Sequence, residues 1–431
     1  MKYRQMGSLD WQVSALGFGC MRLPTSRRFL VKTVDTKEAI ETIRMGIDRG
    51  INYVDTAYPY HLGRSETIVG EALQDGYRKR VKLVTKLPVM LMRKADQFDS
   101  YLEGQMRKLK TDYLDSYLLH GLNAAGFKKV QRFELVDKLE RARDAGKIRH
   151  LGFSFHDTLP VFKQIVDYYP WDLAMVQHNY MDTGIQATNE GLVYAHEKGI
   201  AVVVMEPVKG GMLANPPKEA LDVMASAPVK RSPVDWALQF LWNKPEVSAV
   251  LSGMSSRVQL EENCSSAEHS GVGSLSTEEL ESIDQLADVF RRRIVVGCTA
   301  CSYCMPCKQG VDIPDCFAIL NNVALAEQGD FTQKMSTWLM KRGYKRKSQN
   351  EKQREKRPEA GGAATLCTSC GACVKKCPQE LDIPAELEKV HAVLGRGEKV
   401  EKYLPPITPD VPSLHSNRAQ SAGSSHENTD V

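Results

Sequence analysis

The sequence predicts an α/β protein: a (β/α)8 barrel followed by a small, mainly helical domain built around cysteines. Three observations carry that expectation. Between residues 15 and 254, eight short runs rich in Val, Ile, Leu and Tyr alternate with longer amphipathic segments. That is the pattern of parallel strands buried on both faces and joined by helices. Several amphipathic segments end in Gly at a helix C-cap position, as at Gly50, Gly146 and Gly199. Beyond residue 295 the composition changes, and eight of the 11 cysteines fall into two clusters.

The strand-like runs are residues 15–19, 52–57, 82–87, 116–120, 150–155, 173–177, 201–206 and 248–252. The helix-like segments are 36–49, 65–74, 96–110, 134–145, 161–169, 189–198 and 233–242, and an eighth begins near Arg257. Eight such repeats close a TIM-type barrel. A doubly wound sheet is the rival, but its dinucleotide fingerprint needs a third Gly opening a helix. Here Gly17-Phe18-Gly19-Cys20-Met21 runs on into Arg22 and Pro24. A closing helix is expected over 277–293, with acids first and arginines last. Residues 1–295 are therefore assigned to the barrel and 296–400 to the cysteine-bearing domain, while 405–431, rich in Pro, Ser and Asn, reads as a disordered tail.

Composition narrows the class. With 431 residues, 42% hydrophobic and 26% charged, the chain is too apolar for a disordered protein and too charged for a membrane one. No apolar run is long enough to span a bilayer. Residues 1–10 contain no apolar h-region, so a cytoplasmic location is expected. Cysteines in such a chain read as ligands or buried thiols before disulfides. The net charge of +4 hides an asymmetry, since residues 334–357 hold ten Lys/Arg against two Glu. This partly helical stretch could dock an acidic redox partner or nucleic acid. No nucleic-acid motif accompanies it, so a solvated, partly disordered insertion is the favoured reading and no nucleic acid or membrane partner is expected.

The first cysteine cluster is Cys298-x2-Cys301-x2-Cys304-x2-Cys307, and the second is Cys367-x2-Cys370-x2-Cys373-x3-Cys377-Pro378. Three thiolates spaced by two residues can wrap three irons of one [4Fe–4S] cubane, and in two-cluster ferredoxins the fourth ligates the other cluster. The residues after each cluster also match, Gln309-Gly310-Val311-Asp312-Ile313-Pro314 against Gln379-Glu380-Leu381-Asp382-Ile383-Pro384, which marks an internal duplication. Two [4Fe–4S] clusters are expected, one on Cys298, Cys301, Cys304 and Cys377, the other on Cys367, Cys370, Cys373 and Cys307. Structural zinc would use four cysteines in two C-x2-C pairs, and four consecutive x2 spacings fit it poorly. Cys20, Cys264 and Cys316 read as buried free thiols.

In a (β/α)8 barrel, chemistry sits at the C-terminal ends of the strands. Those ends carry Asp55 after the second run, Lys86 after the third and His120 after the fourth, with Tyr58 and Tyr60 in the second loop. Singly, Asp55 could be a helix cap and His120 a satisfied core histidine. Together they suit carbonyl reduction. Hydride delivery to C=O builds negative charge on oxygen and needs a proton donor. A phenol of pKa about 10 serves near neutrality only when a neighbouring cation stabilises its phenolate. Lys86 supplies that charge, Asp55 pairs with it, and His120 can hold the carbonyl oxygen.

These motifs resemble the aldo-keto reductases. Asp55-Thr56-Ala57-x-x-Tyr60 with Ser65-Glu66, Thr85-Lys86 and Leu119-His120-Gly121 resemble that family's second, third and fourth strand ends, and residues 1–24 and 146–149 are also similar. The resemblance covers roughly residues 1–295. It implies a tetrad of Asp55, Tyr60, Lys86 and His120, with Tyr60 as general acid and base. It further implies a nicotinamide cofactor, NADP or NAD. Ser154 and Gln177 would face the carboxamide, Lys209 and Gly211 the pyrophosphate, and Gly253, Ser255, Arg257, Gln259, Glu262 and Asn263 the adenosine end. A helix start there offers N–H donors, and Arg257 could pair with a 2′-phosphate. Two positions depart from the family. Phe155 follows Ser154 where Asn is usual, and the seventh strand end, Met205-Glu206-Pro207, has no aromatic to stack on nicotinamide. A branch of that family carries a C-terminal ferredoxin-like extension.

The expected function is NAD(P)-dependent interconversion of a small carbonyl and its alcohol, with an iron–sulfur electron-transfer domain and a possible redox protein partner. The alternative is a redox-sensing or electron-transfer subunit whose barrel binds nucleotide with little turnover. Hydride carries two electrons and each cluster one, so direct exchange needs a flavin-like intermediary. The sequence shows no flavin fingerprint.

Overall fold

The computed structural model describes residues 1–28, 31–326, 331–349 and 362–405. The proposed tail, apart from Pro405, and residues 350–357 of the basic stretch lie outside the described residues. The chain divides into two compact units: Met1–Ala214 with Ser232–Ser274, and Asn215–Arg231 with the residues from Leu275 on.

The first unit is a closed barrel of eight parallel strands. In order they are Leu16–Gly19, Tyr53–Asp55, Lys82–Leu87, Leu114–Leu122, Ile148–Phe155, Leu173–Gln177, Ala201–Met205 and Val247–Ser252. Each pairs with the next, and the eighth closes on the first through Val250 and Leu16. The strands are buried along almost their whole length, as a core covered by helices on the outside demands. Helices follow the strands at Thr36–Asp48, Ser65–Ala72, Gln97–Leu109, Leu135–Asp144, Leu159–Tyr168, Thr188–Glu197, Pro233–Trp242 and Arg257–Glu268. Side-chain caps at Asp35, Ser232 and Ser256 start three of them by accepting from an N–H three residues on, which satisfies donors otherwise left open.

An antiparallel hairpin, Tyr3–Gln5 with Gln12–Ser14, precedes the barrel. Its Met6, Leu9 and Val13 pack with Tyr53, Val84, Leu118, Leu173, Ala201 and Ala249, near the starts of the strands. Gly7 sits at φ +55°, and a Cβ there would lie 2.5 Å from the Ala201 nitrogen. The hairpin can thus approach the strand start only with glycine at this position. It plugs the N-terminal end of the barrel, which leaves the C-terminal mouth for a site.

In the second unit the helix Thr277–Arg293 opens on a capping box between Ser276 and Glu279. It packs against Lys218–Ser226, tied by Arg293 to Glu219 and by Arg231 to Glu279, each at 2.6 Å. The cysteine domain contains helices Ile313–Ala326, Phe331–Gln349 and Ile383–Val390, the last continuing in a π-helical turn, His391–Arg396. Their core holds Val311, Phe317, Leu320, Val323, Tyr344, Leu387, Val390 and Leu394. The duplicated Asp-Ile-Pro opens two of these helices, with Asp312 accepting from the Asp315 N–H and Asp382 from the Ala385 N–H. The part of the basic stretch up to Gln349 is helical.

Candidate functional site

Asp55 ends the second strand, and Lys86 and His120 lie within the third and fourth. Neighbouring strands therefore bring the three together without any long loop. The Lys86 ammonium donates to both Asp55 carboxylate oxygens, at 2.6 and 2.7 Å, and to the Thr56 carbonyl at 2.9 Å. Its remaining reach is to Tyr60 Oη at 3.4 Å. The Tyr60 ring meets His120 edge-on, with centroids 5.9 Å apart and planes at 83°. Acid, amine, phenol and imidazole thus converge at one end of the barrel.

The loop bearing Tyr60 is fixed by its own backbone. His61 and Leu62 adopt left-handed conformations in the turn Tyr60–Gly63. His61 Nε2 accepts from the Leu23 N–H at 3.1 Å. Ser65 donates to the Cys20 carbonyl at 3.0 Å and shares a 2.9 Å hydrogen bond with Thr56.

Lys86 is 1% exposed, so its surroundings set the electrostatics. Burial raises Asp55, against the pull of Lys86. Burial, with Lys86 and His156 adding to it, holds His120 well below the usual imidazole range, so His120 is neutral near pH 7. Burial pushes His156 down to about 4 and raises the Cys20 thiol well above its ordinary value.

Residues assigned no role from sequence, Glu66 and Thr85 of the motifs among them, support Lys86 from behind. Glu66, fully buried, accepts from Thr85 Oγ1 at 2.8 Å, from Gln105 Nε2 at 2.5 Å and from Lys108 Nζ at 3.2 Å. Gln105 also donates to the Lys86 carbonyl at 3.0 Å and accepts from Tyr117 Oη at 2.6 Å. The signal in the sequence was Glu66 itself, an acid on the buried face of an amphipathic helix.

On the cofactor side, Ser154 and Gln177 are both buried at strand ends. Ser154 Oγ accepts from the Gly121 N–H at 2.7 Å. Gln177 donates to Asp182 at 3.0 Å and accepts from Gln186 at 3.0 Å. Lys209 is buried and paired with Asp182 at 2.7 and 2.5 Å. Asp182 was not singled out from sequence; it lies five residues beyond Gln177, the last residue of a strand. Gly211 takes a left-handed backbone, φ +100°. Around the start of the helix Arg257–Glu268, Ser255 donates to the Arg22 carbonyl at 2.9 Å and Gln259 Oε1 accepts from the Ser255 N–H at 2.8 Å. A Cβ on Gly253 would lie 3.0 Å from that of Arg22. Asn263 is buried and donates to Ser252 at 3.0 Å, whereas Glu262 is exposed. Arg257 is half exposed and held by Glu38, at 2.9 and 3.1 Å, and by Glu41.

In the second unit the two cysteine loops wind alike. Ala300 and Ser302 have positive φ, and so do Ser369 and Gly371 at the equivalent positions. In each loop the N–H two residues after the first cysteine donates to its sulfur: Ala300 to Cys298 at 3.3 Å and Ser369 to Cys367 at 3.4 Å. One cavity is lined by Cys298, Cys301, Cys304 and Cys377 together. Burial, with Cys298 and Cys377 as neighbours, pushes Cys304 up to about 12. Cys373 is raised by burial, with Cys367 and Cys307 adding to it. Among the described residues no three His, Cys, Asp or Glu side chains converge on a point that would hold one metal ion. All eleven cysteines are free of disulfides, and Cys20, Cys264 and Cys316 are buried. Among the described residues no helix is long and apolar enough to cross a membrane.

Comparison with known proteins finds a family model for each of two segments of the chain. The aldo/keto reductase family model matches residues 15–288, and that of the 4Fe-4S dicluster domain matches residues 297–383. The chain is 30% identical over 321 residues to the uncharacterized oxidoreductase YqkF of Bacillus subtilis, covering 66% of this chain and 95% of that protein. It is 28% identical over 230 residues to an NADH-specific methylglyoxal reductase of Escherichia coli, covering 49% of this chain and 69% of that protein. Among solved structures, the aldo-keto reductase AKR11C1 of Bacillus halodurans in its holo form superposes with a TM-score of 0.56 at 29% identity, covering 66% of this chain and 96% of that one. The chain belongs to the aldo/keto reductase family and carries a C-terminal 4Fe-4S dicluster domain.

Proposed function

We propose that the protein interconverts a small carbonyl compound and its alcohol by hydride exchange with NAD(P). One observation carries this reading: the Lys86 ammonium touches the Asp55 carboxylate on one side and the Tyr60 hydroxyl on the other, with the His120 ring against the phenol. The residues fit a nicotinamide cofactor. Buried amide and hydroxyl groups of Gln177 and Ser154 suit its carboxamide, and the guanidinium of Arg257 suits a phosphate at its far end. The bound cofactor supplies and takes back the hydride. Tyr60 gives its proton to the oxygen as negative charge develops there, and Lys86, held by Asp55, stabilises the phenolate left behind. His120, neutral, donates to the same oxygen.

The test is oxidation of NADH or NADPH by methylglyoxal, the substrate class named for the Escherichia coli relative. Tyr60→Phe is expected to lower kcat by about 10²- to 10⁴-fold, the range for loss of a general acid. A variant that kept wild-type turnover would overturn the assignment. A second reading, a nucleotide-binding subunit with little turnover, is favoured by the cations on the cofactor side. Lys209 is engaged by Asp182 and Arg257 by Glu38 and Glu41. A wild type that binds NAD(P)H yet reduces no carbonyl would establish it.

For the second unit we propose two [4Fe–4S] clusters with crossed ligation, Cys298, Cys301 and Cys304 with Cys377, and Cys367, Cys370 and Cys373 with Cys307. Thiols that line a cavity together, and sulfurs that accept backbone N–H bonds, fit such a cluster. The clusters supply one-electron transfer, and the loops' N–H donors tune it.

A further inference from the structure

The helix Phe331–Gln349 lies between the two cysteine loops in sequence and carries six Lys/Arg and no acid. Tyr344 on one side is 1% exposed and accepts from the Ala364 N–H at 3.2 Å, three residues before Cys367. The other side is different. Met335, Trp338 and Leu339 are 44, 52 and 56% exposed, and their i, i+3, i+4 spacing puts them on one face. The other four tryptophans are buried or half-buried. The Arg342 guanidinium lies over the Trp338 ring, 5.1 Å from its centre, and Lys345 is exposed one turn on.

An exposed cluster of Trp, Leu and Met beside two exposed cations, Arg342 and Lys345, lies outside the domain core. It has the make-up of a protein interface centre, where Trp, Met and Arg are enriched. The sign of the charge names the other side: only an acidic partner would neutralise a stretch of ten Lys/Arg against two Glu. A membrane-surface helix would need a longer apolar stripe, free to sink into the headgroups, and this helix buries Tyr344 in the domain core. Nucleic acid would use the cations and leave the three apolar side chains without partners.

We propose that this face docks an acidic one-electron carrier protein, which exchanges electrons with the cluster of the second cysteine loop. The inference rests on the cluster reading above. The Tyr344–Ala364 hydrogen bond fixes the helix to the segment leading into that loop, whose Cys370 is exposed. In the step, the reduced carrier loses one electron and the cluster gains it. No bond is made or broken, and no proton has to move.

The test uses the full-length holoprotein, first checked for iron and sulfide, with a purified acidic ferredoxin and a purified flavodoxin as probes in calorimetric titrations. Saturable binding to one of them is expected, weakening steeply between about 0.05 and about 0.5 M salt as screening grows. Trp338→Ala and, separately, Arg342→Glu are expected to weaken it about tenfold or more, as interface centres do. Cluster content and NAD(P)H-dependent turnover should stay at wild-type level in both variants. Equal binding by the variants, or no binding by either probe to a cluster-loaded chain, would overturn the inference alone. So would association with phosphatidylglycerol vesicles or duplex DNA in place of the carriers. A wild type without iron would overturn the cluster reading and this inference with it.

Discussion

At the scale of residues, the site depends on a buried charge pair. Lys86 and Asp55 are 1 and 3% exposed, so removing one partner strands the other. Lys86→Met should destabilise the barrel by about 3–5 kcal/mol, while Asp55→Asn with Lys86→Met should recover most of that loss, because an unpaired buried charge costs more than a missing pair. Neither variant should reduce carbonyls. Chemical denaturation followed by circular dichroism checks the first claim, and equal stabilities for single and double variants would refute it. Arg257 offers a different experiment. Two acids clasp it at the end proposed for adenosine, where a 2′-phosphate would have to displace them. Glu38→Gln with Glu41→Gln is expected to lower the KM for NADPH about tenfold relative to NADH, the worth of one charge-assisted contact. An unchanged ratio would remove Arg257 from the cofactor site. The sequence made Asp55, Tyr60, Lys86 and His120 legible as candidates because each lies in the last residues of a strand or in the loop after it. Gln105 and Asp182 were not legible, since their roles arise from tertiary neighbours that no spacing reveals.

At the scale of elements, apolar runs and glycine caps located the eight strands and their helices to within about two residues, the usual uncertainty of element ends. The N-terminal hairpin and the helices Ala124–Arg132 and Lys218–Ser226 escaped, being short segments outside the regular alternation of one strand with one helix. The cysteine loops carry the more useful lesson. Duplicated spacing announced two equivalent windings, and positive φ values recur at matching positions. Linear order alone would assign Cys377 to the second loop. The cavity that groups it with Cys298, Cys301 and Cys304 makes a prediction that separates the two assignments. Under crossed ligation, the double variant Cys298→Ser, Cys377→Ser removes two ligands from one cluster, and iron should fall from about eight to about four atoms per chain. Under ligation in linear order, both clusters would be damaged. Iron and sulfide analysis with low-temperature electron paramagnetic resonance of the dithionite-reduced protein distinguishes the outcomes.

At the scale of the whole molecule, electron count constrains how the two units can cooperate. A nicotinamide moves a hydride, which is two electrons with a proton, whereas a [4Fe–4S] cluster moves one electron at a time. Two clusters could together hold the electrons of one hydride, but a direct exchange would leave a nicotinamide radical between the steps. The tetrad around Tyr60 provides for proton movement and for negative charge on a carbonyl oxygen, and nothing in it asks for single electrons. On the proposed reading, carbonyl reduction by NAD(P)H would therefore be complete within the barrel's own chemistry. Cys370→Ser, which removes an exposed cysteine proposed as a ligand, far along the chain from the tetrad, should leave the steady-state rate within about twofold of wild type, less than the tenfold that 1.4 kcal/mol of barrier would produce. The same variant should lose one cluster's spectrum. If turnover instead fell in proportion to iron content in a protein with an intact fold, the hydride and the clusters would be parts of one reaction, and the barrel would need an electron-splitting step that its residues do not provide.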